Sequence, residues 1–227
     1  MKRAGMAILA ILWAAPCLAA PAPSDPPEAT VERVRAIAAR AKLIEEIAGM
    51  AAVDQAMRTA MLEATSKLPP DQRDTILKPA GALIVAQDRL HAERLKAIIA
   101  AQGWPKISET SERTSAAAVT LVNHASFDLA FQRQVLALIE PLAVQREARP
   151  EDYARLYDRL ATVDKRPQRY GTQGTTCKDG KYAIPTDLEA PEGLEARRAA
   201  VGLQPMAEYL AALDKMYGTC ASPPVAP

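Results

Sequence analysis

The side chains able to do chemistry in this 227-residue sequence gather in a few short polar segments. Asp54 and Gln55 are followed by Arg58, and Asp158 is followed by Arg159. His124 closes an apolar run. Gln168, Arg169, Tyr170 and Gln173 crowd the stretch Arg166–Gln173, where the pattern changes abruptly from amphipathic helix to Tyr, Gly, Thr and Gln. Asp54 and Arg58 are four apart and share one side of a helix, whereas Asp158 and Arg159 are adjacent and point different ways. If these segments converge on the Tyr170 corner, their arginines form planar donors for a carboxylate or phosphate, with Tyr170 or Trp104 as an apolar wall. The expected ligand is then a small anionic or peptide-like molecule. Two other outcomes use the same residues. His124 is the candidate general acid or base of a hydrolase, oriented by Asp158 or Asp54, with Arg169 stabilising developing negative charge. Alternatively, the network only locks helices around an irregular corner, with Arg197 or Arg198 joining as a helix-face ion pair.

Other chemistries are disfavoured. The only histidines are His91 and His124, and the sequence has neither a His-Glu-x-x-His nor a paired Cys-x-x-Cys pattern, so no metal site is expected. It also lacks a Gly-x-Ser-x-Gly elbow and a glycine-rich phosphate loop, and no cofactor is expected. A formal net charge of +1 with interspersed signs gives no footprint for nucleic acid. A partner-binding helical module is a third functional class, because Ala-rich helices dock other helices.

The elements that must position these residues are almost all helical. Hydrophobic residues make up 49% of the chain but aromatics only 4%, a mix that builds close helix packing rather than sheet. The expected fold is all-α, a multi-helix orthogonal bundle with one short β-hairpin or ordered loop near 169–185. Val31, Val34, Ile37, Ala38, Ala41, Ile44 and Ile47 recur at helical spacing, with a break expected at Gly49. A second run reaches Lys67 before Leu68-Pro69-Pro70. Asp71 caps a short helix through Leu77, and Pro79 opens the next, which places Ile84, Leu90, Leu95 and Ile98 on one face. His91 reads as a packing-seam histidine in that helix. Ser108 or Ser111 caps the following helix and Ser126 the one after it, which Pro141 should kink; Pro150 and Pro205 open later ones. Asp179-Gly180 is the hairpin signal.

Residues 1–19 read as a signal peptide, with Lys2 and Arg3 before an apolar run too short for a comfortable membrane span. Cleavage near Ala19 or Ala20 is preferred over lipidation at Cys17, so the expected location is periplasmic or secreted. Residues 20–29 form a Pro-rich linker, 30–218 a single helical domain and 219–227 a loose tail. The mature chain keeps Cys177 and Cys220, which should pair in an oxidising compartment and restrict the unfolded chain by about 4 kcal/mol.

Asp54-Gln55 with Arg58, the Gly103-Trp104-Pro105 turn, Asn123-His124-Ala125, Tyr157-Asp158-Arg159 and the hexapeptide Gln168–Gln173 together resemble a bacterial family of helical proteins known as a domain of unknown function. Arg197-Arg198 with Val201-Gly202-Leu203 resembles its closing signature, and the likeness covers about residues 45–215. The family usually has an acid where this chain has Ser126, which withdraws one partner from His124. The resemblance implies a helical fold and a shared site, but no activity.

Overall fold

The computed structural model describes residues 26–217 and Cys220. The signal segment 1–19, the linker up to Asp25 and the tail after Cys220 lie outside them. Among the described residues the chain is helical apart from one hairpin. The helices are α1 (Pro27–Ser66), α2 (Pro70–Gln102), α3 (Glu112–His124), α4 (Leu129–Val144), α5 (Pro150–Val163), α6 (Leu194–Ala200) and α7 (Met206–Tyr217). Strands β1 (Thr176–Lys178) and β2 (Lys181–Ala183) pair antiparallel, Cys177 opposite Tyr182. Asp179 and Gly180 turn between them with φ of 51° and 76°, the left-handed pair that a two-residue hairpin requires. No helix among the described residues is long and apolar enough to cross a membrane.

Two compact units are distinguished, residues 1–37 and 38–227. The described part of the first is the opening of α1, where Val31, Val34 and Ile37 are exposed. Residues 27–29, within the linker range of the sequence reading, belong to the first turn of that helix.

In the second unit the core is continuous. Ile47 of α1 and Leu95 and Ile98 of α2 pack with Leu121 and Val122 of α3, Phe131, Val135 and Ile139 of α4, and Leu156 and Leu160 of α5. Leu90, expected on the buried face of α2, is 65% exposed, because the true stripe runs through Ile84, His91, Leu95 and Ile98. Neither expected break in the long helices occurs. Gly49 lies inside α1 and Pro79 inside α2. Pro79 has no N–H to give the Thr75 carbonyl, but both residues are exposed, so the freed acceptor is open to solvent. Capping is local. Ser111 accepts from Thr114 N at 3.0 Å to start α3. Asp128, not Ser126, starts α4 by accepting from Phe131 N at 2.9 Å. Pro141 lies inside α4, Pro150 is the first residue of α5, and the Pro205 carbonyl accepts from Tyr209 N in the first turn of α7.

Cys177 and Cys220 form a disulfide, S–S 2.06 Å. The hairpin is further tied down by Tyr182 N donating to Asp214 of α7 (3.1 Å) and Cys220 N donating to Gly180 O (3.2 Å).

A frustrated carboxyl sits in the first turn of α5. Asp152 Oδ2 lies 3.5 Å from Arg149 Nε, yet it is buried without a hydrogen bond. Burial pushes its pKa from 3.8 up to about 6; Arg149 opposes the shift and Glu151 adds to it. The folded protein therefore binds this proton more tightly than the unfolded chain does. The resulting penalty is complete above about pH 6 and absent below about pH 4. Asp152→Asn is expected to raise stability at pH 8 by about 1 to 3 kcal/mol and to leave it unchanged at pH 4, as measured by urea denaturation.

Candidate functional site

The polar residues singled out in the sequence fall into two groups that share no hydrogen bond or ion pair among the described residues. The first joins α1, α2 and the end of α3. Asp54, buried on α1, receives His124 Nδ1 at 2.8 Å, Arg58 Nε at 3.2 Å and Gln55 Nε2 at 2.7 Å. Arg58 also reaches across to α2, where its Nη2 lies 2.7 and 2.8 Å from the two oxygens of Asp88. The guanidinium can only donate and an ionised Asp54 can only accept. The His124 proton on Nδ1 therefore serves Asp54, and Nε2 lies outside this contact. Burial raises the pKa of Asp54, but the hydrogen bond and charge of His124, with Gln55 and Arg58, outweigh it and hold the carboxyl at about 2. His124 is partly exposed and Asp54 is not, so the acid orients the imidazole from behind. This is the geometry of an oriented general base. One turn along α2 from Asp88, His91 is 6% exposed; its Nε2 meets the Gln87 amide at 2.8 Å and its Nδ1 has no partner.

The second group is the corner itself, and its centre is Asp158. This carboxylate is fully buried. It accepts from the backbone N–H of Arg169 (2.8 Å), Tyr170 (3.1 Å) and Thr172 (2.9 Å) and from the Thr172 hydroxyl (3.0 Å). Gln168 clamps the same loop from the inside. Its amide donates to Gln173 O at 2.9 Å and accepts from Gln173 N at 2.9 Å, while its backbone pairs with Asp187 O and Glu189 N across an isolated bridge to Leu188. Gly171 has φ 64°, and a Cβ there would come within 2.7 Å of Met206 Cε. Only glycine fits. Arg197 donates to the carbonyls of Arg169 (2.7 Å), Glu189 and Ala190, and the buried Arg198 donates to Tyr170 O at 2.7 Å. Among the described residues neither arginine forms the helix-face ion pair expected from sequence; each holds loop carbonyls.

Beside the corner lies an open cavity of about 320 Å³ between the end of α4, the start of α5 and Arg169-Tyr170. Glu140, Arg146, Tyr153, Arg169 and Tyr170 supply its polar groups, and Ala143, Val144, Pro150, Ala200 and Val201 its apolar surface. Arg169 lies over the Tyr157 ring, 4.5 Å from its centroid, and bonds Glu189 through Nε at 3.2 Å. Tyr153 donates to Glu140 at 2.9 Å. Burial, reinforced by Glu140, pushes the Tyr153 phenol up, and burial does the same at Tyr170, so both remain neutral hydroxyls. Tyr153, Tyr157 and Tyr170 form a ladder with 6.1 Å between successive ring centroids. Arg146 has a left-handed backbone, φ 61°, and its guanidinium makes no hydrogen bond or ion pair among the described residues.

Trp104 lies in neither group. It is buried in the core, where Nε1 donates to Ser115 Oγ at 2.9 Å. Arg159 is half-buried on α5 with no hydrogen bond or ion pair among the described residues, and burial lowers its pKa. Four residues escaped the sequence reading: Asp88, Glu140, Arg146 and Glu189. Asp88 lies three residues before His91 on one helix face, a spacing that would have drawn attention to it.

No curated protein and no solved structure matches the chain. Residues 41–221 match the model of the "Family of unknown function (DUF6624)". That stretch spans most of the chain and contains both polar groups, so the protein belongs to the DUF6624 family.

Proposed function

We propose that this is an exported protein that binds a small anionic or peptide-like molecule in the cavity beside the Tyr170 corner. The observation that carries the proposal is the placing of opposite charges around one small cleft. Glu140 lines it together with Arg146 and Arg169, and tyrosine hydroxyls and apolar carbons complete its walls. An amino-acid or short-peptide ligand matches that lining, its carboxylate on the arginines and its ammonium on Glu140. Arg169 is shared with Glu189, so Arg146 is the guanidinium left to receive a ligand carboxylate. Export is supported by the disulfide and by the apolar N-terminal segment.

Arg146→Gly is the discriminating variant. It removes a guanidinium with no hydrogen bond or ion pair among the described residues and relaxes a left-handed backbone position. Binding of acidic amino acids and dipeptides, read by calorimetry, should weaken at least tenfold with the melting temperature unchanged or slightly raised. Unchanged affinity would exclude Arg146 and this cleft as the site.

A second reading, acid–base catalysis of the hydrolase type at His124, is favoured by the 2.8 Å contact with Asp54. His124→Gln should then abolish any turnover found by substrate screening; turnover that persists eliminates this reading.

A further inference from the structure

We propose that Asp54, Asp88 and His124 form a binding site for one divalent transition-metal ion of the zinc class, and that Arg58 is a built-in competitor which the ion displaces. The three side chains come from different helices, and each offers one ligand atom, all within 4.8 Å of one another. One imidazole nitrogen with two carboxylate oxygens is a borderline donor set that suits zinc better than calcium or magnesium. Metal bonds of about 2.0–2.2 Å hold ligand atoms roughly 3.4 Å apart, so the widest separation must close by a little over 1 Å. The departing guanidinium leaves that room.

Charge favours the exchange. Two buried carboxylates face a single guanidinium. A divalent ion on Asp54, Asp88 and neutral imidazole balances the two carboxylates, and a net charge inside a protein is costly. Arg58 marks the place such an ion would take, since its Nε lies 3.2 Å from both Asp54 Oδ1 and His124 Nδ1 while its Nη2 holds Asp88. Its side chain is 25% exposed and has a way out to solvent. Gln55, bonded to the other oxygen of Asp54, is the outer partner that would keep this ligand oriented.

His91 adds a second buried imidazole one turn along α2 from Asp88, with its Nδ1 unpartnered. Three protein ligands also leave a fourth position for water, the pattern of catalytic rather than closed structural zinc. The ion would take His124 Nδ1, the atom that acid–base catalysis at His124 assigns to Asp54, so the two arrangements exclude each other.

The test is zinc titration by calorimetry of the purified chain without an affinity tag, with cobalt absorption as the spectroscopic check. One equivalent should bind the wild-type protein, with nitrogen–oxygen tetrahedral cobalt bands. Asp88→Asn and His124→Gln should each weaken binding at least tenfold, and Arg58→Met should strengthen it at least tenfold. Arg58→Gln serves if the methionine variant does not fold, and the same gain is expected. No binding to the wild-type chain overturns the proposal, whatever the Arg58 variants do. Binding untouched by Asp88→Asn and His124→Gln, or weakened by loss of Arg58, overturns it equally. Arg146→Gly should leave the zinc isotherm unchanged, which separates this site from the cavity at Tyr170.

Discussion

Asp158→Ala is expected to lower stability by about 3 to 5 kcal/mol, the largest effect of any single substitution at the corner. The carboxylate is wholly buried and accepts from three backbone amides and one hydroxyl. Each orphaned N–H would carry its own desolvation cost. Asp158→Asn should recover little, because an amide turns two donors toward groups that are themselves donors. Chemical denaturation of both variants checks this, and hydrogen exchange at Arg169, Tyr170 and Thr172 should report loss of protection there first. A loss below about 1 kcal/mol would mean that Arg197, Arg198 and Gln168 hold the loop without Asp158.

Arg58→Ala should cost about 3 kcal/mol at neutral pH. It leaves Asp54 and Asp88 buried without the guanidinium they share. The pH dependence identifies the cause. Asp54 has a depressed pKa, so the stability that its ionised form contributes is complete above about pH 4 and is lost as pH falls toward 2. The gap between wild type and variant should therefore be full at pH 7 and shrink below pH 4, where protonated carboxyls need no cation. Urea denaturation at pH 7, 5 and 3 measures it, and a gap independent of pH would assign the loss to packing instead.

Much of this was legible in the sequence because it is local. The Asp54–Arg58 pair follows from a four-residue spacing, the hairpin from Asp179-Gly180, and the all-α class from an apolar content poor in aromatics. The partner Asp88 stayed unread because its bond to Arg58, thirty residues away on another helix, depends on tertiary packing rather than on a local spacing. Gly49 and Pro79 are both exposed on helices that run through them, and that continuity is not written in a local pattern.

The corner was recognisable but its wiring was not. Gln168, Arg169, Tyr170 and Gln173 read as a polar turn, yet which aspartate would fill it depended on tertiary placement. Asp158 took that place, and Asp54 went with His124 instead. The sequence reading brought Arg58, His124 and Arg169 to one cavity; the fold distributes them between a buried ionic cluster and an open cleft. Arg146 gave no warning, since a left-handed position is expected of glycine or asparagine rather than arginine.

Nuclear magnetic resonance of the isotopically labelled chain, titrated with acidic amino acids and dipeptides, tests the ligand assignment directly. Saturable shifts centred on Arg146, Tyr153, Arg169 and Tyr170, with the Asp54–His124 cluster still, are the predicted result. Shifts confined to Asp54, Arg58 and His124, or none at millimolar ligand, would contradict it.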